Sequence, residues 1–182
     1  MAAPANKTIK DLSGKWVLNK NLSDNPDKGL SLQGIGYLTR KAMGLASVTI
    51  VIKQYEGAPT PPSTAGGTVT RIDIEQSAGP STTKDDRCLD DLPRSYSHWL
   101  FGDVEGRSRW AKVADIDDAY LKKGWEGDEL VLSHLSNKGS GWEAYQVQGF
   151  QVISGERRYC RNVVITKGSE RAEFRFVYDF SG

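Results

Sequence analysis

The residues best equipped for chemistry lie in the second half of the chain, where charge is interleaved with aromatic rings. Arg157-Arg158-Tyr159-Cys160-Arg161 reads as extended chain, with Arg157, Tyr159 and Arg161 on one face, followed by Val163 and Ile165. Arg158, Cys160 and Asn162 take the opposite face, because successive side chains of a strand alternate. A guanidinium turned outward is ordinary solvated surface. One turned inward needs a partner, either a carboxylate such as Asp73 or Glu75 or an anionic ligand oxygen. His98 and Arg109 are candidates on the same grounds, and Tyr178 adds a phenolic donor. Around them stand Tyr96, Trp99, Phe101, Trp110, Trp142, Tyr145, Tyr159, Phe174 and Phe176. Part of this set must fill a core; the rest suits a pocket of π-faces with a few polar tips, made for an apolar, conjugated molecule.

Other chemistries are set aside by what the spacing lacks. Gly34-Ile35-Gly36 misses the third glycine of a phosphate-cradling loop and opens no βαβ unit. His98 and His134 have no Cys or His at ligand spacing, so no zinc site is expected. Asp115-Ile116-Asp117-Asp118 lacks the glycine and closing glutamate of a calcium loop. No serine sits in a nucleophile elbow, and Cys160 reads as a buried thiol. The expectation is a site with neither metal nor cofactor. Lys and Arg number 24 against 23 Asp and Glu, so nothing steers the chain toward nucleic acid or an anionic surface. No apolar run is long enough to cross a bilayer, and Met1–Lys10 lacks the apolar stretch of a signal peptide. With only Cys88 and Cys160 besides, the reading is cytoplasmic, with both thiols reduced and no membrane insertion.

The elements that must position these residues are strands. Alternation recurs around Trp16–Leu18, Val48–Ile52, Val69–Glu75, Ser81–Leu89, Tyr96–Phe101, Arg107–Val113, Glu129–Leu135, Trp142–Val152, Arg157–Ile165 and Ala172–Phe180. Turn signals separate them, among them Gly66-Gly67, Gly79-Pro80, Asp103 to Gly106 and Ser154-Gly155. Leu22 to Ala46 breaks the rhythm as two short helices, with Asp24 expected to cap the first and Tyr37, Leu38, Ala42 and Met43 forming an apolar stripe on the second. The fold expected is all-β: a single antiparallel barrel of about ten strands over residues 11–182, with a helical pair after the first strand. Residues 1–10 read as a flexible tail.

Leu12-Ser13-Gly14-Lys15-Trp16-Val17-Leu18 resembles the opening strand of the calycins, the lipocalins and fatty-acid-binding proteins, and the helical pair after it matches the fatty-acid-binding branch. In that branch an Arg-x-Tyr on the last strand clamps a carboxylate; here the aligned triplet is Phe176-Val177-Tyr178, with Arg175 one position out and on the other face. The likeness implies that Trp16 plugs the closed end, packed by Arg171 or Arg175. Leu32-Gln33-Gly34-Ile35-Gly36, Thr39-Arg40-Lys41-Ala42, Ile52-Lys53-Gln54-Tyr55 and Gly106-Arg107-Ser108-Arg109-Trp110 resemble small fungal lipocalin-like proteins of secondary metabolism. Some of these are hetero-Diels–Alderases that join a tropolone quinone methide to a humulene-type sesquiterpenoid partner. The resemblance implies a cofactor-free pericyclic cyclase, with His98, Arg109, Arg161 or Tyr178 as polarising donor and His98 or a tyrosine as general acid. The rival is a non-catalytic carrier of a small apolar ligand. Homodimer formation is left open.

Overall fold

The computed structural model describes residues 1–182, and the alternating segments become ten antiparallel strands of one curled sheet. These are β1 Gly14–Leu18, β2 Val48–Gly57, β3 Val69–Ala78, β4 Ser81–Cys88, β5 Arg94–His98, β6 Gly102–Lys112, β7 Glu126–Asn137, β8 Trp142–Ile153, β9 Glu156–Lys167 and β10 Glu170–Phe180. Helices α1 (Asp27–Leu32) and α2 (Tyr37–Leu45) lie between β1 and β2. The strand order is β4-β3-β2-β1-β10-β9-β8-β7-β6-β5, so the chain's first and last strands pair and the ladder stops between β4 and β5. That seam is crossed by single bonds: Asp91 N–H donates to Ser108 O at 2.9 Å, and Arg87 Nη1 donates to Ser133 Oγ at 3.1 Å.

One end of the barrel is packed shut. Leu12, Trp16, Ile50, Ile72, Val131 and Tyr159 are wholly buried there. The Trp16 ring lies 4.8 Å from Phe180 and 5.2 Å from Tyr159, and its Nε1–H donates to Leu12 O at 2.9 Å. No terminal-strand arginine packs on it. Arg171 instead pairs with Asp118 and Glu173, and Arg175 faces outward to Gln151 Oε1 at 3.2 Å. The nearest counterpart is Arg157, whose guanidinium sits 3.7 Å over the Phe150 ring. Residues 1–10, read from sequence as a flexible tail, cross this end: Ala3 is buried and bonds Arg157 O, and Ile9 O accepts from Gln54 Nε2.

At the other end α1 seats on β9 and β10. Gly29 is buried because Phe174 and Ile165 fill the space a side chain would need, and Leu32 joins them in one apolar cluster. Asp24 caps no helix; it accepts from Arg175 N at 2.8 Å and from Tyr120 OH, tying the lead-in segment to β10. The apolar stripe of α2 stays open, with Tyr37 and Leu38 exposed.

The sheet is also covered outside. Residues 113–125 fold over the outer face of β7, β8 and β9, where Ile116 and Leu121 pack on Leu130, Val147 and Val164. Asn162 Nδ2 donates to the carbonyls of Tyr120 and Lys123 at 3.2 Å each, pinning the cover down. Strand β9 is therefore buried on both faces from Tyr159 to Ile165. Two sequence boundaries are corrected as well. Trp99–Phe101 turn between β5 and β6 rather than continuing a strand, and Asp103–Gly106 belong to β6 rather than to a turn.

Candidate functional site

Register decides which side chains face inward. Arg161 pairs across the sheet with Gln148 on β8 and with Phe176 on β10, and Tyr159 pairs with Phe150 and Tyr178. Because Tyr159 belongs to the core around Trp16, the whole alternate set Tyr159, Arg161, Val163 and Ile165 turns inward. On β8 the same face carries Trp142, Gln146 and Gln148.

These residues form a chain of hydrogen bonds in the buried middle of the barrel. Arg161 Nε donates to Tyr159 OH at 3.0 Å, and Tyr159 OH donates to Gln148 Oε1 at 2.5 Å. The guanidinium also lies 5.1 Å from the centre of the Tyr178 ring and 5.4 Å from that of Tyr159. Arg161 is 5% exposed and Gln148 fully buried, yet Arg161 Nη2 and Gln148 Nε2 have no acceptor in the protein. Gln146 Nε2 and Trp142 Nε1 are buried and unpaired in the same way. Buried polar groups are rarely left without partners, and every orphan here is a donor. Burial alone would lower the Arg161 pKa; the oxygens of Tyr159 and Tyr178, and Asp85 beyond, outweigh it and keep the guanidinium charged. Burial raises the pKa of Tyr178 despite the cation beside it.

A second polar group faces the first from the seam. Asp85 accepts a fork from Arg87, Nε at 2.8 Å and Nη2 at 2.5 Å, while Arg87 Nη1 reaches Ser133, which bonds Ser108 Oγ at 2.9 Å. Burial pushes the Asp85 carboxyl upward, but Arg87, with Arg161 and His98 behind it, holds it below the usual carboxylate range. Asp85 keeps 36% of its side-chain surface open, and Tyr96 as a residue is 39% exposed. Tyr96 is pushed up to about 12, by burial and then by Asp85. Gly106 lets the Tyr96 ring lie flat: a Cβ there would sit 3.5 Å from Tyr96 Cε1 and 3.2 Å from Leu135 Cδ1.

His98 closes the set at the open end. Its ring stacks on Phe101 at 4.7 Å, and Phe101 meets Trp142 edge-on at 5.7 Å. Nδ1 accepts from Leu100 N–H at 3.2 Å, which leaves the proton of the neutral ring on Nε2. Burial lowers the His98 pKa and Asp85 offsets part of that, so the imidazole is neutral near pH 7.

Of the residues singled out from sequence, the fold brings together Arg161, Tyr178 and Tyr159 at mid-barrel. Tyr96, His98, Phe101 and Trp142 gather toward the open end, and Phe174 and Phe176 lie beneath α1. Three others point elsewhere. Arg109 has the parity opposite to Ser108 and Trp110 and bonds Trp110 O on the outside; Tyr145 stacks on His134 on the outer face; Trp99, in a turn, is 65% exposed. Trp110 faces in but low, beside a solvent-open concavity of about 320 Å³ at Lys10, Gln54 and Glu129 that holds none of the network. Asp73, offered as a partner for an inward arginine, lies outward near Arg71. Asp85, Arg87, Gln146 and Gln148 went unread. The signal was present for the first two: Ser81–Arg87 contains no apolar residue, so whichever face turns inward brings polar groups with it. No three His, Cys, Asp or Glu side chains gather at metal-binding spacing. Cys88 and Cys160 are free and buried, and burial pushes the Cys160 thiol up to about 12.

The chain is 31% identical over its whole length to the probable pericyclase scpY of Mollisia scopiformis, of which it covers 95%. It is 31% identical, again over its whole length, to the pericyclase pydY of an Acremonium species, of which it covers 98%. The chain belongs to this pericyclase family. No family model matches it. Solved structures place the fold among small calycin-like barrels. The fluorescent protein UnaG superposes with a TM-score of 0.58 at 14% identity, over 93% of this chain and 97% of that one. Secretory abundant heat soluble protein 4 from Ramazzottius varieornatus gives 0.55 at 11%, over 98% and 100%. The REP1-NXSQ fatty acid transporter gives 0.53 at 13%, over 94% and 96%. The polar network lies inside this calycin-like barrel, and none of the helices is long and apolar enough to cross a membrane.

Proposed function

We propose that this chain is a cofactor-free pericyclic cyclase that holds a conjugated, largely apolar substrate against the inner face of the barrel. The reading rests on one observation: a charged, buried Arg161, relayed through Tyr159 to Gln148, presents unpaired donors inside a chain that is 31% identical along its whole length to named pericyclases. A cycloaddition needs no proton or electron from outside. In the hetero-Diels–Alder case a conjugated C=C–C=O unit and an alkene form one C–C and one C–O bond while the π-electrons shift. The protein's part is to hold both partners in near-attack geometry, for which about 7–11 kcal/mol is available in favourable cases. Its second part is to hydrogen-bond the carbonyl oxygen as negative charge builds there, which lowers the barrier through preorganised donors. Arg161 Nη2 and Gln148 Nε2 take that role, and the rings of Tyr178, Phe176 and Tyr96 bound the reacting faces. His98 would assist loss of water from a precursor at the open end as a hydrogen-bond donor through its Nε2–H.

The substrate pair proposed is a tropolone-type quinone methide and a sesquiterpene alkene. The test is a product assay with that pair, comparing rate and enantiomer ratio with wild-type protein, with Arg161→Met and without protein. The reading expects acceleration and one dominant enantiomer from the wild type, and a lower rate with Arg161→Met. If the wild type alters neither rate nor selectivity with this or any other conjugated diene, the protein is a carrier. The fatty acid transporter among its structural neighbours makes that the second reading.

A further inference from the structure

The charges that face the middle of the barrel do not balance. From β4 come Asp85 and Arg87, which neutralise each other as a forked pair. From β5 come Arg94, held by Asp90 at 2.7 Å, and the neutral Tyr96 and His98. Strands β6, β7 and β8 offer Ser108, Ser133, Gln146 and Gln148, and β10 offers Tyr178. Arg161 from β9 is left over. The carboxylate that acts on it from a distance, Asp85, is already occupied by Arg87. Arg158, three residues earlier on the outer face, shows the ordinary solution: it too is buried, but it is paired with both Glu156 and Asp179. A guanidinium taken out of water without a counter-ion costs several kcal/mol. Here that cost sits beside an unpaired amide N–H on the adjacent strand, since Gln148 and Arg161 are cross-strand partners.

We propose that the barrel binds its ligand as an anion, an enolate oxygen conjugated with the ligand's π-system, seated between Arg161 Nη2 and Gln148 Nε2. The proposal deepens the cyclase reading and rests on it for the conjugated class of substrate: the ring that carries the C=C–C=O unit also carries an acidic enol, whose ionised charge is shared with the oxygen that meets the donors. An acidic enol satisfies both donors at once, supplies the missing charge, and carries its hydrocarbon along the apolar rungs Val163, Phe174 and Phe176 toward α1. A neutral ketone would satisfy the donors and leave the cation uncompensated. A simple carboxylate supplies the same charge without the conjugated ring.

The experiment measures binding by quenching of intrinsic tryptophan fluorescence, with four probes of matched chain length at neutral pH. The probes are 2-dodecanoylcyclohexane-1,3-dione, which is ionised; its neutral O-methyl enol ether; dodecanoate; and dodecan-1-ol. A charge-assisted hydrogen bond of about 1.5–3 kcal/mol corresponds to roughly ten- to hundredfold in affinity, so the enolate should bind the wild type at least about tenfold tighter than its methyl ether. Arg161→Met should erase that ratio, and Arg161→Lys should keep part of it. If Arg161→Met does not fold, the wild-type series and Arg161→Lys still decide. Equal binding of enolate and ether by the wild type overturns the proposal, as does a folded Arg161→Met that keeps the preference. Dodecanoate binding as tightly as the enolate, and dodecanol weakly, overturns the enol assignment in favour of a carboxylate. None of these measurements needs turnover: a preserved preference with no acceleration of any cycloaddition would sink the cyclase reading and leave this one standing.

Discussion

Removing the Tyr159 hydroxyl tests the core of the structural argument. Tyr159→Phe keeps the ring, and with it the contacts to Trp16 at 5.2 Å and Tyr178 at 5.4 Å, so no cavity opens. What is lost is the link between Arg161 Nε and Gln148 Oε1. The bond from the guanidinium is worth about 1.5–3 kcal/mol, and leaving the buried Gln148 oxygen without a donor adds about 1–3 kcal/mol. Side-chain relaxation recovers part of this, so a loss of about 2–4 kcal/mol is expected in urea unfolding followed by tryptophan fluorescence and far-ultraviolet circular dichroism. Tyr145→Phe is the control: that hydroxyl meets Glu143 on the outer face at 3.5 Å, and its removal should stay within about 0.5 kcal/mol. In a Gln148→Leu background the acceptor is already gone, and Tyr159→Phe should cost about 1–2 kcal/mol less than in the wild type. The reasoning is refuted if Tyr159→Phe lies within about 0.5 kcal/mol of the wild type. It is refuted equally if the two substitutions simply add.

Two glycines in the helical pair should respond with opposite signs. Gly29→Ala gains about 1 kcal/mol of helix propensity but places a methyl 2.5 Å from Phe174 Cε1 and 2.9 Å from Ile165 Cδ1, and overpacking of about 1–3 kcal/mol should win. Gly44→Ala on α2 meets nothing within 4 Å and should leave the melting temperature equal or higher; a reversed order of the two melting temperatures would contradict the seating of α1. His98, with its pKa lowered by burial, binds its proton less readily folded than unfolded, so its contribution to stability is present above the ordinary imidazole value of 6.5 and is lost as pH falls below it. Unfolding free energy measured from pH 7 to pH 5 should therefore fall less in His98→Gln than in the wild type.

How much of this was legible in the sequence follows from what period-two alternation can say. It locates strands well, because a half-buried strand must alternate, and the strands around Trp16, Ile50–Ile52 and Ile72–Ile74 do so cleanly. It cannot choose the inner face of a strand buried on both sides. In β9 Val163 and Val164 are both buried, one against Phe174 inside and the other beneath Leu121 outside. Nothing in the segment around Arg161 announces that a cover of residues 113–125 lies over the sheet, so its arginines looked like solvated surface. Gln146 and Gln148 were disguised the other way, as the ordinary polar half of an alternating strand. Trp99 was misplaced because the run Tyr96–Phe101 is rich in rings, whereas the chain reverses at Trp99–Phe101 and directs that indole to solvent.

The choice between cyclase and carrier turns on what a buried cation is for. A carrier of hydrocarbon gains about 25 cal/mol for each Å² of apolar surface it covers, and a lining of Val163, Phe174 and Phe176 continued through the barrel would maximise that gain. Placing Arg161, Gln148 and Gln146 there instead lowers stability, since replacing buried charged groups by apolar ones of equal volume is often neutral or favourable. Such a cost is recovered when an oxygen of the ligand meets the donors, and it is recovered most where charge grows on that oxygen. Interactions that strengthen as the reaction proceeds raise kcat, whereas those equal in ground and transition state affect only binding. A carrier has no turnover to lose, so within the cyclase reading the kinetics of Arg161→Met show what the donors do. If the donors serve retention alone, KM rises and kcat holds; if they serve a developing oxyanion, kcat falls and the binding of a neutral alkene partner stays close to normal.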